Sequence, residues 1–396
     1  MEPLFRSLWL GGFESACHIN RSGARLDMLA STQHDLRAAE DYRLLRTQGI
    51  AAARDGVRWP LIDRGGRYDF ASLAPQVQAA AEAGVDVIWT LCHYGWPDDI
   101  DLFSPAFVSR FARFCAATAR FIKEHGRGVP AYSPINEISF FAWAAGDVGY
   151  IYPFGEGQGL KLKKQLVRAA IAGSEAILAV EPRARLVHID PIIHVVPPHN
   201  RPDLMRAAAR QRAGQFESWD MLAGRQNPEL GGSERFLDIV GVNFYHANQW
   251  EHPGDDASAR LRWEDTPRDL RWLPLHQLLA EVHARYRRPL LLSETSHFGV
   301  GRAPWISEIA HEVLLAWQHG VPLGGICLYP ILDRHDWDDP NHWHNSGLWE
   351  LEPDGRGNLV RVLDQPYAAA LHQAQQLLAA PPLWVHERGG IELAIN

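Results

Sequence analysis

The chain has 396 residues, 46% hydrophobic and 22% charged, with 33 Gly and 26 Pro, a composition that excludes disorder and fibrous repeats and fits a folded globular protein. Lys and Arg number 39 against 47 Asp and Glu, a net charge of −8 with the signs interspersed, so neither nucleic acid nor an anionic membrane is expected as a partner. No apolar run reaches membrane-spanning length, and Met1-Glu2-Pro3-Leu4-Phe5-Arg6 lacks the form of a secretory leader, which predicts a cytoplasmic protein. In that compartment Cys17, Cys92, Cys115 and Cys327, which lack metal-binding spacing, read as buried small hydrophobes, and the Asn20-Arg21-Ser22 sequon as idle.

Taken in chain order, short β-rich runs alternate with long amphipathic ones. The strands are expected at 8–14, 51–59, 85–93, 131–136, 186–190, 239–245, 290–294 and 325–328, and the helices between them at 36–47, 73–83, 105–124, 161–180, 202–222, 273–285 and 305–318. Ser104-Pro105 and Ala303-Pro304 suit helix starts, and Gly49, Gly84 and Gly320 suit C-terminal caps. Eight such repeats predict a single α/β domain, a (β/α)8 barrel over residues 1–382, with crossover helices on a parallel sheet. Gly155-Glu156-Gly157-Gln158-Gly159 follows no strand and is not the dinucleotide fingerprint, so no nucleotide cofactor is expected. The segment 249–269 is too long for a plain loop and reads as a lid or rim insertion. A helix over 366–379 follows, and the tail 383–396 reads as a small hairpin turning at Gly389-Gly390.

In such a barrel the chemistry sits where strands end. Two strands close on a glutamate, Ile135-Asn136-Glu137 and Leu292-Ser293-Glu294, and a carboxylate ending a buried strand is costly unless paired or used. On facing strands the two can flank a glycosidic oxygen as acid and nucleophile. Either alone also fits a simpler place, capping a helix or pairing with Arg54. The only lysines are Lys123, Lys161, Lys163 and Lys164, none near a predicted strand end, which speaks against Schiff-base catalysis. The 15 Trp and 19 His suit a sugar-binding cleft without deciding it.

The motifs at these strand ends, in order, resemble those of family 1 glycoside hydrolases or a close relative among the retaining (β/α)8 glycosidases. Leu10-Gly11-Gly12-Phe13-Glu14 is similar to the opening strand, with Glu14 where the family has a sugar-binding Gln. Ala53-Arg54-Asp55-Gly56-Val57-Arg58-Trp59-Pro60 resembles the second strand, which implies that Arg54 steadies the nucleophile. Thr90-Leu91-Cys92-His93-Tyr94-Gly95-Trp96-Pro97 resembles the third, with His93 on a sugar hydroxyl. Ser133-Pro134-Ile135-Asn136-Glu137 resembles the fourth and implies Asn136 on the 2-hydroxyl and Glu137 as acid/base. Gly241-Val242-Asn243-Phe244-Tyr245 implies that Tyr245 bonds the nucleophile, and Leu292-Ser293-Glu294-Thr295 implies Glu294 as that nucleophile, although the family's usual Glu-Asn-Gly is absent. In Tyr329-Pro330-Ile331-Leu332-Asp333-Arg334-His335-Asp336-Trp337, Tyr329 and Pro330 replace a Trp and a Ser, and Asp336 stands where a Glu reads distal hydroxyls.

The resemblance implies an exo-acting, retaining β-glycosidase, β-glucosidase-like, that takes a small-molecule or oligosaccharide β-glycoside and needs no cofactor. Glu14, His93, Asn136 and Asp336 would read hydroxyls, Trp337 or Tyr329 would stack on the sugar, and Trp96 would stand at the cleft. Glu137 is expected to have a raised pKa from the neighbouring charge. The carboxyls should lie about 5–5.5 Å apart. The His335–His344 segment is dense in His and Asp and reads as a polar rim loop in preference to a zinc site, because zinc takes three or four ligands on ordered elements. A carbohydrate-binding pseudoenzyme, a transglycosylase and a metal-dependent barrel hydrolase are the competing readings. Phosphorylated sugars are disfavoured, because the eighth-strand region lacks the Lys and Ser that phospho-glycosidases of the family carry.

Overall fold

Each predicted strand pairs with the next one along the chain until the eighth returns to the first. In the computed structural model, which describes residues 3–254 and 257–379, these are β1 (Trp9–Gly12), β2 (Ala52–Gly56), β3 (Asp86–Cys92), β4 (Ala131–Ile135), β5 (Arg185–Pro191), β6 (Ile239–Asn243), β7 (Leu290–Thr295) and β8 (Leu323–Leu328). All neighbours are parallel and the barrel is closed. This is the expected (β/α)8 architecture. Parallel strands buried on both faces need apolar residues on both. Leu10, Ala52, Ile88, Ala131, Val187, Ile239, Leu291 and Cys327 fill the interior, while Ala53, Val87, Leu290, Leu292, Ile326 and Leu328 pack outward against the helices.

The helical shell comprises α1 (His34–Thr47), α2 (Ala74–Ala83), α3 (Pro105–His125), α4 (Gly159–Val180), α5 (Met205–Ala213), α6 (Glu217–Leu222), α7 (Leu275–Tyr286), α8 (Arg302–Gln318) and α9 (Gln365–Ala379). Gly84 caps α2 with φ +66°, the left-handed backbone a glycine tolerates. The single helix expected over 202–222 is broken instead: a tight turn at Gly214–Phe216 separates α5 from α6. There the Gln215 side chain accepts from the Ile193 N–H at 2.9 Å and donates to the Arg212 carbonyl at 2.8 Å, and glycine is a weak helix former. Tertiary bonding therefore overrides the local periodicity.

One register irregularity matters for the site. Leu290, Leu291 and Leu292 of β7 face Val240, Gly241 and Val242 of β6, but the next pairing is Glu294 with Asn243. Ser293 and Glu294 thus oppose one residue, the arrangement of a β-bulge, which bends the strand and re-aims its side chains.

The insertion after β6 lies docked on the rim. Gln249–Glu251 pairs with His194–Val196, the Gln249 amide clasps the Leu273 backbone at 2.7 and 2.8 Å, and Arg268 makes a bidentate pair with Glu308 of α8 at 2.8 and 2.9 Å. A hairpin of Trp349–Pro353 and Leu359–Leu363 precedes α9; the Asp-Gly turn signal at Asp354-Gly355 marks it in the sequence. The four cysteines are buried and unpaired. Among the described residues no helix is long and apolar enough to cross a membrane. The boundary at 382 and the hairpin expected over 383–396 lie outside the described residues.

Candidate active site

The C-terminal ends of the strands surround a cleft of about 370 Å³, and Glu137 and Glu294 both line it. Glu137 follows β4 with φ +42°, and Tyr94, two residues after β3, has φ +63°. Left-handed backbone costs a non-glycine residue on the order of 1–3 kcal/mol and concentrates at functional sites. The two residues meet: the Tyr94 hydroxyl donates to Glu137 Oε2 in a short hydrogen bond. Asn243 Nδ2 donates to the other carboxyl oxygen at 2.8 Å, and Ser293 Oγ donates to Asn243 Oδ1 at 2.7 Å, fixing which way that amide points. The β7 bulge is what lets Ser293 serve Asn243 while Glu294 also faces the mouth.

Glu294 is gripped from two sides. Its Oε1 pairs with Arg54 Nη1, and its Oε2 accepts from the Tyr245 hydroxyl at 2.6 Å. Arg54, only 1% exposed, is itself fully engaged, through Nη2 to Asn136 Oδ1 at 2.7 Å and Nε to Thr90 Oγ1 at 3.1 Å. Burial works against the charge on Arg54, but the Glu294 carboxylate beside it more than compensates and holds the guanidinium protonated. Burial and the same carboxylate keep Tyr245 a phenol. Glu137 is pushed up to about 8, first by burial and second by the negative charge of Glu294. The rise agrees with the expectation from the neighbouring charge, and desolvation is its larger cause.

The donor pattern fixes the neighbouring groups. An arginine only donates, so Asn136 Oδ1 is the acceptor and its Nδ2 donates to His93 Nε2 at 3.1 Å and to the Tyr94 hydroxyl at 2.9 Å. His93 therefore carries its proton on Nδ1, which faces Ser15 Oγ at 2.9 Å, and burial together with Arg54 keeps the ring neutral. Glu14 is buried, accepts from the Ala16 N–H at 3.0 Å and the Tyr329 hydroxyl at 3.3 Å, and lies 3.4 Å from Arg334 Nε. Burial raises its pKa despite Arg334. A Cβ at Gly12 would meet the Tyr329 ring at 2.2 Å, so only glycine lets that ring lie over β1.

Of the residues expected at the site, Glu14, His93, Glu137, Tyr245, Glu294, Tyr329 and Trp337 line the cleft, with Arg54 directly behind Glu294. Three expectations need correction, and that for Tyr329 is narrowed. Asn136 is fully buried and its amide is spent on Arg54, His93 and Tyr94, so it stands behind the cleft surface. Tyr329 lines the cleft with one face of its ring covered by the Arg54 guanidinium at 4.9 Å. Trp96 is buried away from the cleft, with Nε1 donating to the Ile100 carbonyl at 3.1 Å and its ring against Phe107 and Phe141; Gly95, pressed on the Cys17 backbone, turns the chain beneath the wall. Asp336 does not line the cleft either. It caps its own loop, accepting from the Asp338 and Asp339 N–H groups at 2.8 and 3.2 Å and pairing with His344 Nε2 at 3.0 Å.

Arg334 takes the inward position from that loop, beneath the Trp337 ring at 5.6 Å. Tyr94, Asn243 and Arg334 are polar site residues that motif reading does not single out, although each stands inside a motif that carries the resemblance; His246, Asn248, Arg260, Ser296 and Ser346 also line the cleft from outside those motifs. No lysine lines the cleft among the described residues.

No protein-family model and no curated protein matches the sequence. Solved structures do match in fold. The family 1 β-glucosidase from Thermotoga maritima aligns with a TM-score of 0.74 at 14% identity over 95% of this chain and 99% of that one, and its complex with castanospermine aligns with a TM-score of 0.75 at 14% identity over the same shares. The AHE enzyme from Alicyclobacillus herbarius aligns with a TM-score of 0.74 at 16% identity over 96% of this chain and 100% of that one. The chain thus shares the barrel fold of family 1 β-glucosidases across nearly its full described length.

Proposed function

We propose that the protein is a retaining, exo-acting β-glycosidase that removes a terminal β-linked sugar by double displacement. The observation that carries this reading is the unequal treatment of two carboxyls facing one cleft. Glu294 is paired with a buried arginine and a phenol, whereas Glu137 is desolvated and holds its proton to about pH 8. Opposed environments of this kind mark a nucleophile and a general acid.

Glu294 attacks the anomeric carbon as Glu137 protonates the departing oxygen, which leaves a glycosyl ester on Glu294. Once that ester has formed, the negative charge that helped raise Glu137 is gone, so Glu137 becomes a competent base and takes a proton from the water that hydrolyses the ester. Arg54 and Tyr245 hold Glu294 in the attacking orientation and receive it again as a leaving group. Glu14 and Arg334 present polar atoms to sugar hydroxyls, His93, its ring nitrogens held by Asn136 and Ser15, forms the wall beside them, Asn136 positions His93 and Tyr94, and Trp337 offers an apolar face. A cleft of about 370 Å³ is at the small end of ligand sites and suits one sugar with its leaving group at the mouth.

The test is a panel of aryl β-glucoside, galactoside, fucoside, mannoside and xyloside, followed by trapping with the matching 2-fluoro glycoside and mapping of the labelled peptide. The label is expected on Glu294, with retained configuration in the product, and the carboxyl separation in a liganded crystal should be about 5–5.5 Å. A label elsewhere, or a separation of about 6.5–9.5 Å, would refute the assignment. Activity toward none of the glycosides would support a binding role instead.

A further inference from the structure

Beside the carboxyl pair, three side chains from three separate pieces of the rim converge. His246 follows β6, His297 follows β7, and Glu264 belongs to the insertion; one ligand atom from each lies within 4.8 Å of the others. We propose that they bind one divalent first-row metal ion of the zinc class, and that this ion fastens the insertion to the ends of β6 and β7.

The donor set is two imidazoles and a carboxylate, which suits zinc and its neighbours and not magnesium or calcium, which take oxygen ligands. His297 Nε2 and Glu264 Oε1 are 3.0 Å apart, close to the ~3.3 Å between two ligands of a tetrahedral ion with bonds of about 2.0–2.1 Å. His246 stands alongside with its ring centroid 4.1 Å from that of His297, and its buried Nδ1 finds no hydrogen-bond partner among the described residues. A turn of this side chain brings a nitrogen into the same shell.

The surroundings fit a ligand site in two further respects. His297 Nδ1 lies 2.7 Å from the Phe298 N–H and 3.2 Å from the Phe298 carbonyl. With Nδ1 accepting, Nε2–H donates to Glu264; with Nδ1–H donating to the carbonyl, the Nε2 lone pair faces Glu264 and is free to ligate. Metal-bound histidines are commonly oriented through their second nitrogen in this manner. A Cβ at Gly301 would meet His297 Nδ1 at 2.2 Å, so glycine there is what admits the ring in this position. Trp263 and Trp305 pack on His297 at 5.2 and 6.0 Å and give the site an apolar wall. The loop carrying His342 and His344 offers less: among the described residues, three ligand atoms come this close together only at His246, Glu264 and His297.

The role assigned to the ion is structural. It joins Glu264, on a segment otherwise tied to α8 through Arg268 and Glu308, directly to the two strands that carry Asn243 and Glu294. The fourth coordination position falls to water.

The experiment uses the untagged full chain, treated with chelator and dialysed against zinc, with metal content measured and glycosidase activity not needed as a readout. One zinc per chain is expected, with no magnesium retained under the same conditions, and the thermal midpoint should rise by about 3 °C at a hundredfold excess over the dissociation constant. Glu264→Gln and His246→Phe should each weaken zinc binding about tenfold or more, and the double variant should abolish it, with circular dichroism confirming that each remains folded. A His342→Ala/His344→Ala variant should keep the full stoichiometry. Failure of the wild type to retain stoichiometric zinc, or retention by the Glu264→Gln/His246→Phe variant, overturns the proposal. Neither outcome bears on the glycosidase reading, which the 2-fluoro label tests separately.

Discussion

At the ends of β2, β4 and β7, every polar side-chain atom of Arg54, Asn136 and Glu294 has a partner on a different strand or strand end, whereas in the loop after β8 Asp336 and His344 are held mainly by each other and by their own backbone. The first arrangement is over-determined: moving one group leaves a buried charge or amide without a partner, which costs on the order of 1–3 kcal/mol or more. The second is local, so its residues can change without disturbing the barrel.

If the floor carries the chemistry, the largest effect comes from Glu294. Glu294→Gln keeps the shape and a partner for Arg54 but removes the nucleophile, and kcat/KM on an aryl β-glycoside should fall by about 10⁴-fold or more. Glu294→Ala should in addition lose about 3–5 kcal/mol of stability, because Arg54 is left buried and unpaired; thermal unfolding separates the two variants. An undiminished rate in Glu294→Gln would remove the distinction between floor and rim altogether.

Glu137→Gln should cost about 10²–10⁴-fold, less for substrates with strongly acidic phenol leaving groups, which need no protonation. The pH profile gives a sharper reading. A general acid pushed up to about 8 predicts a rate that falls as pH rises through that value, and the limb should vanish in Glu137→Gln. Stability follows the same group. Its proton is held more tightly folded than unfolded, so its contribution is complete below the ordinary carboxylate range and is lost as pH climbs toward about 8. Glu137→Gln should show no such decline over that window in a pH series of melting curves.

Tyr245→Phe removes one hydrogen bond to a charged group, an interaction worth about 1.5–3 kcal/mol, so kcat/KM should drop about 10–150-fold, mostly in kcat. Trp337→Ala probes the rim. Its loss should appear in KM, at about 2–12-fold, from the ~0.5–1.5 kcal/mol an aromatic contact adds beyond burial. A Trp337 effect larger than that of Tyr245 would reverse the comparison and move substrate recognition to the front.

The alternating pattern made the barrel legible because parallel strands buried on both faces must be apolar, and the helices between them must show one apolar stripe. Glu137 and Glu294 were legible for the opposite reason, as charged residues that end apolar runs. What periodicity does not carry is register and direction. The β7 bulge that turns both Ser293 and Glu294 toward the mouth leaves no trace in composition. Distance along a motif places Trp96 and Asp336 at the cleft, but the bend at Gly95 and the turn capped by Asp336 itself send them elsewhere. Tyr94 does not stand out in its motif beside His93, although its left-handed backbone aims it at Glu137. The His246, Glu264 and His297 cluster was beyond reach from spacing, because its members come from three segments that only the docked insertion brings together.

The smallest effect separates position in a motif from position in space. Asp336 occupies the place of a hydroxyl-reading carboxylate in sequence, yet its oxygens serve the Asp338 and Asp339 N–H groups and His344, while Arg334 faces the cleft. Asp336→Asn keeps an acceptor for the two N–H groups and weakens only the pair with His344, so KM and kcat on every glycoside should stay within about twofold and stability within about 1 kcal/mol. Arg334→Ala, two residues away, should raise KM more than Asp336→Asn does, since it removes a charge that lines the cleft and leaves Glu14 without its cation. The ratio of those two KM changes, measured on one substrate, reads directly whether the rim recognises sugar through the carboxylate the motif supplies or through the arginine the fold turns inward.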